Sequence, residues 1–288
     1  AAGAYLRTDN LPGAILIRHC VFSNNYAKGT GGGAYILPGY GCTATVINCL
    51  FVTNSGSTQG GGAYIYLVSG ELTLDNNTFY GNRTGYGSGG GGAYVRLYND
   101  DGLVHLRNNI LWSNVADNGI GSDLFVEDDS GGNSIGATVR VYACDIGDMD
   151  VQDGDHLTQG DPLNADPLLT PDFHLSGASP CVDAGTNLPW MAEATDLDGQ
   201  PRIFHTAPDL GVDETFLRGL TVSVTSNVLT SWDAVDGAVC RLHYCTNLPT
   251  EVWVDAGAAV TAASRRLFIT DTNASGDFRL YRLEWTRP

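Results

Sequence analysis

The chain is poor in positive charge. It has a single lysine, Lys28, and its 32 acidic residues outnumber its 15 basic residues, which gives a formal net charge of −17. Residues 151–217 contain twelve acids and one base, Arg202. This balance disfavours nucleic acid and anionic membranes as partners. Divalent cations are the more natural counterions.

The chain also lacks long apolar runs and helical periodicity. No stretch of 18 apolar residues is present, so no transmembrane segment is expected. A signal peptide is not visible, as is normal for a mature or processed chain. Apolar residues do not recur at spacings of three and four, which argues against helical repeats. Seven cysteines are too few for a disulfide-rich scaffold, and no Cys-x-x-Cys pair indicates zinc.

Two short phrases recur with a period of about 30 residues through the first part of the chain. Gly-Ala-Tyr followed by an aliphatic residue begins at Gly3, Gly33, Gly62 and Gly92. Phe-x-x-Asn begins at Phe22, Phe51 and Phe79, with a degenerate copy at Leu111. A fixed period of this size is typical of a solenoid, in which each repeat covers only its neighbours.

Each period contains about three short strands that glycine, asparagine, aspartate or serine residues separate. The pattern predicts an all-β fold, a right-handed parallel β-helix like the pectate-lyase solenoids, with about five coils of about 30 residues. Equivalent residues of successive coils then stack about 4.8 Å apart. Period-two alternation predicts inward columns of Ala34, Ile36, Ala63, Ile65, Ala93 and Val95, of Ile15, Ile17, Val46, Leu72, Leu74, Leu106, Val139 and Val141, and of Phe22, Phe51, Phe79 and Trp112.

The remaining repeat positions have structural and functional interpretations. The glycine runs before each first strand predict tight corners, since a phosphate-binding loop would open a helix and usually carries a lysine. The asparagines of Phe-x-x-Asn predict a hydrogen-bonded ladder. Outward tyrosines could stack simply to stabilise the coils or form an assembly or ligand surface; they are Tyr5, Tyr35, Tyr64, Tyr94, Tyr66 and Tyr98. Cys20 and Cys49 also stack, either as a disulfide or as an inward thiol column.

The composition divides the chain into three parts. Residues 1–160 hold the β-helix repeats, and residues 161–217 form an acidic segment of terminal coils. Residues 218–288 show six or so short alternating strands, which predict a small antiparallel β-sandwich similar to a fibronectin-III-like module. Covering the last coil with such a sandwich would protect unpaired strand edges.

Four phrases of the acidic segment carry a family resemblance. They are Phe173-His174-Leu175, Ser179-Pro180-Cys181-Val182-Asp183-Ala184-Gly185, Asp196-Leu197-Asp198-Gly199-Gln200-Pro201-Arg202 and Asp209-Leu210-Gly211-Val212-Asp213-Glu214. This segment resembles the C-terminal part of bacterial surface β-helix proteins of the choice-of-anchor class. The repeats are similar to those of chlamydial polymorphic outer-membrane proteins, whose β-helices are secreted passenger domains. The two resemblances imply a secreted β-helix with a surface or adhesive role.

Many parallel β-helices are enzymes that act on polysaccharides, so a polysaccharide lyase or glycosidase is an alternative for this chain. A lyase needs carboxylates that hold Ca²⁺ and a nearby base; the basic candidates on the coils are Arg96, His105, Arg107 and Arg140, and the acids that could face them are Asp75, Asp100 and Asp101. Asp100 and Asp101 are adjacent, so a strand would point them apart and they suit a glycosidase pair poorly. No cofactor is required, but Ca²⁺ could bind the acidic segment through Asp183, Asp196, Asp198, Asp213 and Glu214.

The sequence favours a non-enzymatic, extracellular structural or adhesive protein of a bacterial surface. The alternative is a carbohydrate-binding or polysaccharide-lyase-type β-helix. Its expected partners are further copies of itself or surface glycans. The first repeat, at residues 3–6, has no preceding repeat to cover it, and a bare coil presents unpaired backbone groups. The sequence therefore also suggests head-to-tail assembly into a fibre.

Overall fold

The computed structural model describes residues 3–9, 13–85, 89–98, 101–129, 138–152, 157–159, 162–204, 206–215, 218–224, 228–233, 239–246, 252–261, 266–271 and 279–286. Regular structure in these ranges is β-strand, apart from a 3₁₀ turn at Pro189–Met191. The chain divides into two compact units. The first contains the residues up to Leu175 together with Ser179–Glu214, and the second contains Ser176–Ala178 and the residues from Thr215.

The first unit is a parallel β-solenoid built from four sheets. The first sheet contains β1 (Ala4–Arg7), β5 (Ala34–Leu37), β9 (Ala63–Leu67), β13 (Ala93–Leu97), β17 (Leu124–Asp128) and β20 (Met149–Val151). The second contains β2 (Ala14–Arg18), β6 (Cys42–Ile47), β10 (Gly70–Asp75), β14 (Leu103–Arg107), β18 (Thr138–Tyr142) and β21 (Leu157–Gln159). The third contains β3 (Val21–Ser23), β7 (Leu50–Val52), β11 (Thr78–Tyr80), β15 (Ile110–Trp112) and β19 (Asp145–Ile146). The fourth contains β4 (Tyr26–Ala27), β8 (Ser55–Gly56), β12 (Arg83–Thr84) and β16 (Val115–Ala116).

This arrangement confirms the predicted all-β parallel solenoid. Among the described residues, four coils place a strand in all four sheets and a fifth coil places strands in three. The expectation of about three strands per coil was one too low. The additional strand is a two-residue pair just after the asparagine of each Phe-x-x-Asn phrase, too short to show a pattern of its own.

The inward columns of the first two sheets are those that alternation predicts, and all of their predicted members are buried. In the third sheet the rings of Phe22, Phe51 and Phe79 stack with centroids 4.6 and 4.4 Å apart. The next member is Leu111, which pairs with Phe79, and not Trp112 as expected. Leu111 stands three residues before an asparagine, as each phenylalanine does, so Trp112 falls on the outward side and packs against a separate apolar cluster.

Asparagine side chains form the predicted ladder along the corner that follows the third sheet. Asn25, Asn54 and Asn82 each donate from the side-chain amide and the backbone amide to the next Oδ1, at 2.9–3.0 Å. Asn114 donates in the same way to Asp123 Oδ1, at 2.7 and 2.9 Å. The carboxylate ends the ladder, because it accepts hydrogen bonds without offering a donor to the next coil.

Glycines form the corner before the first sheet, as their runs predict. Gly31, Gly60 and Gly90 have φ between 62° and 69°, a conformation that favours glycine. At Gly61 a β-carbon would lie 2.4 Å from backbone oxygens of Arg83 and Gly91, both in the next coil. Successive coils therefore approach too closely here for any side chain.

The acidic segment leaves the solenoid after Leu163, which still bridges to Asp145 in parallel. The described residues of 179–214, here called the strap, then lie along the outside of the coils. The Thr195 carbonyl accepts hydrogen bonds from Asn48, at 2.8 Å, and from His19 Nε2, at 2.9 Å. The strap is therefore an outer layer across several coils and not a set of terminal coils.

Further strap contacts involve the same corner of later coils. Asn76 Nδ2 donates to the carbonyls of Asp209 and Gly211, at 3.1 and 3.3 Å. Asn108 exchanges two hydrogen bonds with the backbone of Thr186, at 2.8 and 2.9 Å. The corner residues His19, Asn48, Asn76 and Asn108 all have φ between 50° and 57°, a region in which asparagine and histidine are enriched, and each hydrogen-bonds to the strap.

The second unit contains antiparallel strands, as expected for residues 218–288. One sheet joins β22 (Arg218–Val224), β23 (Val228–Asp233) and β27 (Arg266–Asp271). In the other, β24 (Val239–Cys245) pairs with β25 (Val254–Asp255), β26 (Val260–Thr261) and β28 (Leu280–Thr286). The Asp-Gly pair at 236–237 and the Ser-Gly pair at 275–276, whose residue types indicate turns between these strands, lie outside the described residues.

Candidate functional site

The outward tyrosines form a continuous stack along the first sheet. Neighbouring rings of Tyr5, Tyr35, Tyr64 and Tyr94 have centroids 5.1, 5.0 and 5.4 Å apart, and Phe125 extends the stack at 5.0 Å. Tyr64 and Tyr94 are buried, at 4% and 0% exposure, whereas Tyr5 is 57% exposed. The column is therefore mostly closed to a partner, which favours its interpretation as a stabilising stack.

A second pair of tyrosines lies two positions along the strands. Tyr66 and Tyr98 meet edge to face at 5.8 Å, and Tyr98 is 47% exposed. The Arg96 guanidinium lies 5.8 Å from the Tyr66 ring centre and pairs with Glu127 and Asp129. Of the six tyrosines predicted to form an assembly or ligand surface, Tyr5 and Tyr98 are thus the exposed ones.

The lyase candidates are largely engaged in structural contacts. Both oxygens of Asp75 accept bonds from Arg107, each at 2.8 Å, and Oδ2 also accepts from Trp190 of the strap at 3.0 Å. His105 faces Glu71 at 3.7 Å, and burial lowers the pKa of its imidazole. Arg140 is exposed.

The remaining acids of that hypothesis do not complete a site. Asp101 accepts a hydrogen bond from Ser69 Oγ at 2.9 Å, and Asp100 lies outside the described residues. A lyase requires a base that is free to reach the substrate beside a carboxylate cluster. In the described part of the coils, Arg96 and Arg107 instead neutralise carboxylates.

Two of the carboxylates predicted to bind Ca²⁺ instead hold the strap together. The fully buried guanidinium of Arg202 pairs with Glu214 at 2.7 Å and donates to the carbonyls of Asp209 and Asp213. Asp196 accepts hydrogen bonds from three backbone amides and so closes its own turn. Glu214 and Asp196 are therefore committed to internal contacts, and the backbone of Asp183 is bonded to Asp209 Oδ1 at 2.6 Å.

The other two carboxylates meet a histidine that the sequence interpretation did not select. One ligand atom each from His174, Asp198 and Asp213 lies within 4.8 Å of the other two. His174 Nε2 is 3.0 Å from Asp198 Oδ2, and Nδ1 is 3.8 Å from Asp172 Oδ2. The signal that could have found His174 is its place two residues after an aspartate within an acidic segment.

Backbone contacts position this cluster. His174 lies on a small hairpin closed by the bridge between Leu169 and Leu175, and Asp198 lies in the turn between the bridged residues Thr195 and Pro201. The Leu175 amide donates to Asp213 Oδ2 at 2.9 Å. The cluster lines a small pocket, whose walls are Leu50, Asp172, Phe173, His174, Leu197, Asp198, Val212 and Asp213.

The cluster has a high density of negative charge. Burial raises the pKa of the Asp213 carboxyl; the Leu175 amide and His174 oppose this rise, and the charges of Asp196 and Asp198 add to it. A cation placed in the pocket would relieve this repulsion between carboxylates. The arrangement can therefore hold a positively charged ligand.

The predicted cysteine pair is present as two free thiols. Cys20 and Cys49 precede strands that pair in register, so they do stack, and the thiol column is the alternative that the structure supports. Burial raises the pKa of the Cys49 thiol to about 12. The column continues with Asn77 and Asn109, since Asn77 Oδ1 accepts from the Cys49 amide at 3.0 Å.

The chain matches no known family model, no curated protein and no solved structure. In the part of the chain that the structure describes, no helix has the length and apolar character needed to cross a membrane.

Proposed function

We propose that this chain is a non-enzymatic structural or adhesive solenoid of a bacterial cell surface. The observation that carries the proposal is the continuous ladder from Asn25 to Asp123, which links successive coils through side-chain and backbone hydrogen bonds. Such a ladder, with the adjoining phenylalanine stack, makes each coil depend on its neighbours. A rod of this kind suits a stalk or a passenger domain, as the resemblances of the repeats also suggest.

The contacts of the basic residues favour this proposal over a polysaccharide lyase. Arg107 is bound to Asp75 by two hydrogen bonds, and Arg96 is held by Glu127 and Asp129. Withdrawing either arginine to act as a base would leave a carboxylate unpaired, and for the fully buried Asp75 that is costly. The contacts of these arginines therefore favour a structural role on the coil surface over a role as a catalytic base.

Surface glycans stay candidate partners because some tyrosines are open to solvent. Tyr5, Tyr26, Tyr40 and Tyr98 are between 47% and 61% exposed. A sugar ring could stack on such a face. The Tyr98 ring is already supported by Tyr66, so it would bind with little loss of side-chain freedom.

A panel of acidic and neutral polysaccharides tests this proposal. The full chain is incubated with each polymer, with and without Ca²⁺, and unsaturated products are followed by their absorbance while binding is followed by affinity electrophoresis. We expect no product from any polymer. If a polymer in the gel retards the migration of the protein, Tyr98→Ala should abolish this retardation and Tyr80→Ala should not. Product formation in the wild type that Arg107→Gln removes would contradict the proposal.

Head-to-tail assembly into a fibre stays a prediction. Light scattering of the purified chain at high concentration tests it, since assembly gives a mass that grows with concentration. A single monomeric species over the whole concentration range would contradict assembly but not a structural role.

A further inference from the structure

We propose that His174, Asp198 and Asp213 bind a divalent transition-metal ion, such as Zn²⁺, in the pocket that the strap forms with the hairpin of His174. Their three ligand atoms lie within 4.8 Å of one another. The site is independent of the proposed surface role. It differs from the calcium site that the sequence suggests, because only two of those five carboxylates take part.

The geometry requires a small adjustment. A tetrahedral ion bound at about 2.1 Å separates its ligand atoms by about 3.4 Å. His174 Nε2 and Asp198 Oδ2 are already 3.0 Å apart. Asp213 is held by the Leu175 amide, whereas the paired side chains of His174 and Asp198 are 42% and 43% exposed. The side chains of His174 and Asp198 can therefore move toward Asp213.

Asp172 supplies a second, independent observation. Its Oδ2 lies 3.8 Å from His174 Nδ1, the ring nitrogen opposite the ligand, and its Oδ1 accepts from Thr170 Oγ1 at 2.6 Å. Histidine ligands in metal sites usually donate this second N–H to a carboxylate or carbonyl, which fixes the tautomer and the ring orientation. At 3.8 Å Asp172 does not accept this hydrogen bond, but its carboxylate is 75% exposed and a small rotation would let it do so.

The pocket offers a third observation. Asp213 is more than nine-tenths buried yet lines the cavity, and within the described residues no hydrogen-bond donor reaches its Oδ1. A carboxylate that accepts one protein hydrogen bond keeps further lone pairs, which a cation in the cavity can use. The cavity leaves room for water beside the three protein ligands, as at zinc sites that keep an open position.

The ligand chemistry selects the class of ion. One imidazole nitrogen and two carboxylate oxygens suit Zn²⁺, Mn²⁺, Fe²⁺, Co²⁺ or Ni²⁺. Ca²⁺ takes six to eight ligands, all of them oxygen, and gains nothing from an imidazole. The bound ion would join the hairpin that ends at Leu175, the Asp198 turn and the end of the strap.

Isothermal titration of the full, tag-free chain with Zn²⁺ tests the proposal, with Ca²⁺ titrated in parallel. We expect one site for Zn²⁺ and a rise in Tm of about 5 °C at a hundredfold excess over Kd. His174→Gln and Asp198→Asn should each abolish this site, and Asp172→Asn should weaken it by about tenfold or more. The control Asp117→Asn removes an exposed carboxylate elsewhere and should bind as the wild type does.

Co²⁺ as a second probe separates this site from the thiols. Binding at the proposed ligands gives weak visible bands without a thiolate charge-transfer band. Three results would each overturn the proposal. They are the absence of Zn²⁺ and Co²⁺ binding to the wild type, unchanged binding by folded His174→Gln and Asp198→Asn variants, and a thiolate band in the cobalt spectrum.

Discussion

Replacing Asn82 with alanine tests the ladder that carries the structural proposal. The Asn82 side chain is fully buried and makes four hydrogen bonds, at 2.8–3.0 Å. It accepts from the backbone and side-chain amides of Asn54, and it donates to Phe51 O and Asn114 Oδ1. At about 1 kcal/mol for each bond, the substitution should cost about 4 kcal/mol of unfolding free energy.

Asn25→Ala is the matched control, since it removes the same side chain from the same ladder. Asn25 uses its side chain for one of these bonds, to Asn54 Oδ1 at 2.9 Å, and that oxygen keeps the Asn25 backbone amide as a donor. The control should therefore cost only about 1 kcal/mol. The contrast comes from the number of bonds broken and the burial of the groups left behind.

Urea denaturation followed by circular dichroism measures both changes. Similar small losses in the two variants, below about 1 kcal/mol, would refute the argument, because the ladder would then contribute no more than a surface hydrogen bond. Hydrogen exchange gives a local check: the Asn54 amide should lose protection in Asn82→Ala and keep it in Asn25→Ala.

Three further predictions concern the strap, the glycine corner and the end of the ladder. Arg202→Met leaves the buried Glu214 carboxylate without its ion-pair partner and should lower the free energy of unfolding in urea by about 3–5 kcal/mol. Adding Glu214→Gln should restore most of this loss, and no recovery in the double variant would contradict the ion-pair account. Gly61→Ala puts a methyl group against the backbone of the next coil and should lower the free energy of unfolding by about 3 kcal/mol. Gly29→Ala, at a position with open space around it, should be neutral or slightly stabilising, and equal melting temperatures of the two variants would refute the close approach of the coils at Gly61. Burial raises the pKa of the Asp123 carboxyl to about 6, so the folded state holds this proton more tightly than the unfolded chain. The resulting stability is complete below about pH 4 and is lost as the pH rises through about 6, by about 3 kcal/mol. Between pH 4 and pH 7 the wild type should lose about that much more unfolding free energy than Asp123→Asn, and a pH-independent difference contradicts it.

The solenoid could be predicted from the sequence because its contacts repeat. A residue such as Ile36 meets its equivalent one coil away, so period and alternation together give the face of each strand. The asparagine ladder and the glycine corners follow from the same periodicity. Trp112 was misplaced because aromatic character was followed there instead of the distance to the asparagine.

The strap and the pocket could not be predicted in the same way. The contact between His19 and Thr195 spans 176 residues, and that between Asn76 and Asp209 spans 133. No period links such pairs, and turn-rich segments give little directional signal. The burial of Tyr64 and Tyr94 was missed for a related reason, since alternation gives the side of the strand but not what covers it.

Immunogold labelling of intact cells that produce the protein tests the central claim most directly. An antibody against the exposed coil surface is applied before and after permeabilisation, with a cytoplasmic protein labelled as the control. A structural or adhesive surface solenoid predicts label on intact cells that permeabilisation does not increase. Label that appears only after permeabilisation, together with the cytoplasmic control, would contradict the claim.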